Sequence, residues 1–375
     1  MITRTTEKLF REAIFLSKWS GSTAFRWDSE NHRIRLSTTP WSKFYSNFNF
    51  VLILAFEIFL IYRLIESIAI PTAGRPLSEI VTLCYFICIY AIPTTLYHCT
   101  TKHSTDIPLF VNGFLEYFEN FKESYMIPSQ YRKKNGCETV LRIFFNTAYL
   151  ITLQNVIVFA IAPHRFFMLT SLIWDSKDAI PFIMKVVFLA VHLQIWMSAW
   201  SHALLYTTVI YSYIYPTLWI LKELNRRTRN PGTFDVLRSQ VGFSNTYRGI
   251  QILQNMFNYC FQHEYFSYQK ILVSAVAVFG FYGAVRIHGS RAVLMTMIGV
   301  MFSLHLSVMF RQLGKFYDIS TEILNSWKGS SSKKILKSCR PLRVQISDYY
   351  CVQKTTILVL MGVIINAAIT LLLSS

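Results

Sequence analysis

The sequence places a carboxylate in apolar surroundings, with Glu57 half-way along the uncharged residues of the 44–66 stretch. An ionisable group in such a stretch is a candidate for contact with a cation or ligand, or a hydrogen-bonded carboxyl that holds two helices in register. A second set combines polar and aromatic types at comparable depth in other apolar stretches: Tyr85, Gln154, His192, Trp196 and Tyr282, with Asn155 and Gln194 beside them. Aromatic walls with few polar groups suit a small organic molecule. The same residues, taken one by one, can equally glue helices together through hydrogen bonds. No covalent chemistry is visible. The nine histidines show no His-Glu-x-x-His spacing, and neither a Gly-x-Ser-x-Gly elbow nor a phosphate-binding glycine loop occurs. Cys84 and Cys88 share a helical face, but no histidine or carboxylate completes a metal shell within that motif. An enzyme is not expected, and neither is a cofactor or a metal.

The elements that must carry these residues follow from composition. Of 375 residues, 53% are hydrophobic and 15% charged, against a usual charged share near 25% in soluble domains. Disordered chains are thereby excluded, and an ordinary cytosolic enzyme is not expected. Seven stretches, 44–66, 77–99, 140–162, 180–220, 267–285, 292–310 and 355–373, carry few charges, mostly at their ends. A helix needs about 20 residues to cross the hydrocarbon of a bilayer. The expected class is an all-α membrane protein with seven transmembrane helices.

The net charge of +17 would suggest nucleic acid if it covered a soluble face. It does not. Of the 37 Lys and Arg, 29 fall in residues 1–43, 100–139, 221–270 and 311–354, and 5 in the alternate loops. By the positive-inside rule the N-terminus is cytoplasmic and the C-terminus extracellular. The charge is an orientation code, and no nucleic-acid partner is expected. Residues 1–43 lack a cleavable signal sequence, and Leu9, Phe10, Ala13 and Ile14 recur at helical spacing beside Arg4, Lys8, Arg11 and Lys18. That pattern predicts an amphipathic helix lying on the inner membrane surface.

The stretch 180–220 is twice as long as one crossing needs and lacks an internal polar turn, so it is read as one span continuing inward as a long helix. Phe110, Phe114, Leu115, Phe118 and Phe121, and likewise Ile252, Leu253, Met256, Phe257, Cys260 and Phe261, repeat at helical spacing within the inner segments. Helices therefore extend inward from the membrane within 100–139 and 221–266. The chain divides into an N-terminal segment (1–43), a six-helix ligand-binding region (44–310), a segment leading to the last helix (311–354) and a terminal helix (355–375). Outer loops are short, which favours small molecules over protein hormones as ligands.

The terminal helix differs in character. It has no charge, and Val359, Gly362 or Val363, Asn366, Thr370 and Leu373 mark a stripe that is small or polar in parts and apolar in others. Such a stripe can line a water-filled path gated by dewetting, or it can be a packing face.

Residues 339–375, which read Cys-Arg-Pro-Leu-Arg-Val-Gln-Ile-Ser-Asp-Tyr-Tyr-Cys-Val-Gln-Lys-Thr-Thr before the last span, resemble the C-terminal signature of insect gustatory receptors. Arg340, Pro341, Leu342, Arg343 and Val344 match its first part, and Val352, Gln353, Lys354 and Thr355 the step into the last helix. Asn366 and Ala367 stand where the family has Thr-Tyr, and Leu373 and Ser374 where it has Gln-Phe, which marks a divergent member. The resemblance implies a non-selective cation channel, opened by small-molecule tastants, in the plasma membrane of sensory neurons. It further implies a homo- or hetero-tetramer of related subunits with the last helices around the pore, Leu373 and Ser374 at the gate, and the ligand pocket in the outer half of each subunit. Two other readings remain at this stage. A G-protein-coupled receptor usually has its N-terminus outside and carries Asp-Arg-Tyr and Asn-Pro-x-x-Tyr motifs, which this chain lacks. A small-molecule transporter typically shows internal repeats, and none is evident.

Overall fold

The computed structural model describes residues 3–37, 39–69, 77–128, 136–174, 176–228, 232–329 and 333–374. Arg75, Arg229 and residues 132–134, which entered the charge count, lie outside them. Eleven helices and two small hairpins are found among the described residues: α1 Arg4–Trp19, β1 Phe25–Asp28, β2 Arg33–Leu36, α2 Pro40–Ala69, α3 Leu77–Lys102, α4 Asp106–Tyr125, α5 Gly136–Ile161, α6 Phe182–Leu224, α7 Gln240–Phe261, α8 Tyr265–Arg286, α9 Ser290–Ser326, α10 Lys333–Ser338, β3 Gln345–Ile346, β4 Tyr350–Cys351 and α11 Thr356–Ser374. Seven of them, α2, α3, α5, α6, α8, α9 and α11, are long and apolar enough to cross a membrane. They coincide with the seven stretches read from the sequence.

The central post is α6, one unbroken helix of 43 residues, or about 65 Å at 1.5 Å per residue. Its two halves live in different surroundings. Phe182, Ile183, Val186 and Val187 are exposed apolar side chains, as lipid contact requires, whereas nearly every residue from Ser201 to Leu224 is buried. A helix that is apolar all round must be enclosed by protein or lipid, and here α4 and α7 pack against the second half. Phe110 of α4 contacts Tyr213 of α6 at 5.1 Å between ring centroids and Phe257 of α7 at 5.8 Å. The helical repeats at 110–121 and 252–261 thus meet on α6.

Helix α9 continues 16 residues beyond Phe310, where the apolar stretch was expected to end, because Leu313, Phe316, Ser320 and Ile323 keep one face buried. At its end Trp327 Nε1 donates to the carbonyl of Leu224 at 2.9 Å, satisfying one of the last acceptors of α6. Helices α8 and α9 approach closely through glycine. A Cβ on Gly280 would lie 2.7 Å from the backbone nitrogen of Gly299, so only hydrogen fits, as is common where membrane helices meet.

The N-terminal helix departs from expectation. Its apolar stripe, expected against the inner membrane surface, is turned to protein: α1 packs lengthwise against α5 and α6 and buries Phe10, Ala13, Ile14 and Ser17, while Phe15 and Trp19 stay exposed. Thr3 bonds Glu138, and Tyr149 donates to Glu12 at 2.8 Å, so α1 and α5 run in the same direction. Ser20 reaches Ser201 at 2.5 Å, and Gln194 donates to the Ser20 carbonyl at 2.8 Å and to Asn49 at 2.5 Å. The amphipathic stripe is real, but it finds a protein groove whose polar floor answers its serines. Periodicity cannot distinguish that groove from a lipid surface.

The β1–β2 hairpin was not anticipated. Asp28 ties its turn by accepting from the Asn31 side chain at 2.8 Å. The Asn112 amide of α4 then pairs with both backbone groups of Ile34, at 2.8 and 2.9 Å, acting as a short extra strand.

Near the C-terminus, residues 340–345 run extended along α7. Tyr247 donates to the Arg340 carbonyl at 2.8 Å and Asn258 to that of Arg343 at 2.9 Å. The Arg-Pro-Leu-Arg-Val segment is therefore stitched down before the β3–β4 hairpin turns the chain into α11. Lys354 pairs with Asp318 at 2.8 Å at that turn.

Candidate functional site

Some of the candidate residues gather in two separate places. The first surrounds His192, one of the fully buried polar side chains. Its ring stacks on Trp196 one turn along α6 at 5.3 Å, meets Phe56 of α2 edge-on at 5.4 Å and Phe159 of α5 at 5.3 Å. Tyr90 of α3 packs against Phe56 at 4.9 Å. The remaining wall is the segment between two long helices, with one short 3-10 turn at Leu169–Leu172. The segment 162–172 between α5 and α6 folds inward, burying Phe166, Phe167 and Met168, and its Leu169 N–H donates to His192 Nε2 at 3.2 Å.

This loop is fastened from α2. Arg63 Nε donates to the Phe166 carbonyl at 3.2 Å and its Nη2 to the Ser171 hydroxyl at 3.1 Å, while Nη1 pairs with Glu66 at 2.7 Å. Guanidinium suits the task because its fixed fork spans several acceptors at once. His192 Nδ1 has no hydrogen-bond partner, and an unpaired buried donor costs on the order of 1–3 kcal/mol.

Of the five residues expected to line a pocket, the structure brings His192 and Trp196 together. Tyr85 and Tyr282 are buried in the other, larger hydrophobic cluster, and Gln154 is half-buried on α5. Gln194 belongs to the polar floor beneath α1. Sequence reading missed Phe56, Tyr90, Phe159, Arg63 and the loop. One signal was available: Phe166, Phe167 and Met168 form an apolar run in a segment too short to be a span.

Glu57 receives a hydrogen bond from Thr94 of α3 at 2.8 Å. Of the two readings open to it, the observed partner is the neighbouring helix.

The second place is α11. Thr356, Leu360, Ile364 and Ala368, at intervals of four, are buried where the helix rests on α8 and α9. Val359, Asn366, Thr370, Leu373 and Ser374 lie exposed on the rest of its surface and Gly362 is half-buried, with open space where a Cβ would stand. The stripe is therefore a face that this chain does not cover. Thr370 turns its hydroxyl back to the Asn366 carbonyl at 2.8 Å.

Beyond both places, a polar groove of about 620 Å³ runs between α7 and the 340–345 segment, lined by residues that include Gln251, Asn255, Asn258, Arg340 and Arg343. It contains none of the candidate residues.

The backbone arrangement as a whole has counterparts among solved structures. The insect olfactory receptor OR5 from Machilis hrabei, in complex with eugenol, superposes with a TM-score of 0.62 over 98% of both chains, at 10% sequence identity. Its fold is similar to that of an insect olfactory receptor. A second structure of OR5 gives a TM-score of 0.61 over the same 98% and 10% identity. No family profile and no curated protein matches the sequence. The likeness to the OR5 receptor extends over 98% of the chain. It is the architecture expected of an insect chemoreceptor, and it concerns backbone alone, since fold does not specify the stimulus.

Proposed function

We infer that this chain is a subunit of a chemoreceptor channel: a ligand-gated, non-selective cation channel opened by small organic molecules, in the plasma membrane of sensory neurons. The observation that carries this reading is the uncovered face of α11. Asn366, Thr370 and Ser374 are exposed on a helix whose exposed neighbours are otherwise apolar. Polar groups facing hydrocarbon are costly, so that face belongs against water or other subunits. Four copies arranged with α11 innermost would enclose a path in which Leu373 supplies an apolar constriction and Asn366 and Thr370 a polar lining.

The ligand side of the reading rests on the His192 enclosure, with Trp196, Phe56 and Phe159 as walls. The eugenol complex of OR5 supports a small organic stimulus, and the Arg-Pro-Leu-Arg-Val resemblance supports the gustatory branch, in a homo- or hetero-tetramer. A stimulus opens the channel only as far as it binds the open arrangement more tightly than the closed one. Two-electrode recording from cells expressing the chain, alone and with related subunits, tests the function. Stimulus-evoked cation current is expected; a G-protein-dependent response without current in membrane patches would overturn it.

A further inference from the structure

We propose that the His192 enclosure takes an uncharged molecule whose apolar body carries a hydrogen-bond-accepting oxygen, and that His192 Nδ1–H is the donor that selects it. The proposal rests on the chemoreceptor reading for its biological meaning, and on the following geometry for its chemistry.

Leu169 N–H can only donate, so His192 Nε2, 3.2 Å away, must accept. That nitrogen therefore carries no proton, and a ring with an unprotonated Nε2 is a neutral imidazole with its hydrogen on Nδ1. The loop thereby sets the tautomer. Nδ1–H is left as a buried donor without an acceptor, inside a shell of Phe56, Phe159 and Trp196 rings.

What such a donor lacks is an acceptor, and what the rings favour is apolar or aromatic surface. Ketones, esters and ethers on a hydrocarbon or aromatic body satisfy both. A hydrocarbon of the same shape satisfies only the rings. An ammonium brings more donors to a site already short of acceptors, and the carboxylate next in sequence to Phe56, Glu57, is engaged by Thr94. The 162–172 segment, which closes on His192 with a short 3-10 turn at Leu169–Leu172, is held in place by Arg63, so Arg63 is a positioning residue for the Leu169 N–H that sets the tautomer.

Three congeners of nearly equal shape test the proposal on the purified full-length protein: acetophenone, isopropylbenzene and 1-phenylethylamine. Dissociation constants from ligand-observed NMR are expected to place acetophenone roughly tenfold or more below the other two, the worth of one buried hydrogen bond. In His192→Phe that gap should collapse to within about twofold. Equal binding of acetophenone and isopropylbenzene, a preference for the amine, an undiminished gap in His192→Phe, or binding of none of the three would each overturn it. A second measurement needs no variant to fold: in protein labelled with 15N-histidine, the buried histidine that responds to acetophenone should show protonated Nδ1 and bare Nε2. The opposite tautomer overturns the proposal. Failure of the channel reading is separate, because it would appear as absent current with the binding gap intact.

Discussion

Arg286 Nη2 donates a 2.9 Å hydrogen bond to the carbonyl of Leu372, joining the last turn of α8 to the last turn of α11. The final carbonyls of a helix have no partner within it, and this charged donor pins the end of α11 beside the exposed Leu373. Replacing it should loosen the proposed gate. A hydrogen bond to a charged group contributes about 1.5–3 kcal/mol, so Arg286→Gln is expected to raise resting current in the absence of stimulus by about tenfold at unchanged surface expression. Whole-cell recording with surface labelling checks this; equal resting currents would mean that the bond does not hold the gate.

The uncovered face of α11 makes a positional prediction. Leu373 is 83% exposed, and Leu373→Ala should alter both leak and evoked current, since an apolar constriction that dewets depends on its side chains. Asn366→Cys and Thr370→Cys should react with a water-soluble thiol reagent and block current. Leu360→Cys, on the face against α8 and α9, should not. If Leu373→Ala leaves both currents as in the parent, the pore does not run along this face.

Glu57 separates a packing role from a ligand or ion role. Glu57→Gln keeps an oxygen for the Thr94 hydroxyl and removes the charge. Stimulus sensitivity and ion selectivity should stay within about twofold of the parent, while Thr94→Val, which removes the donor, should cost about 1 kcal/mol of stability. A Glu57→Gln channel with changed selectivity would return Glu57 to the functional residues.

Gly21 follows α1 at a φ of +70°, and a Cβ there would lie 2.3 Å from Asn49 Nδ2 and 2.7 Å from the Tyr45 ring. Strain in the left-handed region and overpacking each cost on the order of 1–3 kcal/mol. Gly21→Ala should therefore lower the melting temperature in detergent by several degrees and uncouple α1 from Gln194. A melting curve coincident with the parent's would show that the junction yields without penalty.

Acid should loosen the joint between α3–α4 and α7–α8. Glu264, buried at the turn between α7 and α8, is pushed up by burial, but the hydrogen bond and charge of Lys102, with His103, outweigh this and leave its carboxyl below the usual value. His103 Nε2 stands 3.5 Å from it and His103 Nδ1 3.2 Å from Asp106. A folded-state value below the unfolded one, near 4.3, means that the contribution is complete above that pH and is lost as pH falls through the folded value. Thermal melts between pH 6 and pH 3 should show a decline that Glu264→Gln reduces. An identical decline in the variant would assign acid sensitivity to other groups.

The sequence by itself determined the seven long helices and the continuity of α6, because a crossing demands a local run of about 20 apolar residues and helical periodicity is written in neighbouring positions. It also marked the α11 stripe, since a single helix contains all of its members. Only the tertiary structure decided which surface each stripe meets: α1 found the α5–α6 groove where a membrane surface was expected, and the Val359–Leu373 stripe was left bare. It also decided which distant residues share a site. His192 and Trp196, one turn apart, share one cluster, but Tyr85 and Tyr282 went to the other, and Phe56, Phe159 and Leu169 came in from three other segments. The physical reason is that an apolar face specifies burial without naming its partner. Even the proton on His192 is a tertiary fact, placed on Nδ1 by one backbone N–H from a loop 23 residues away.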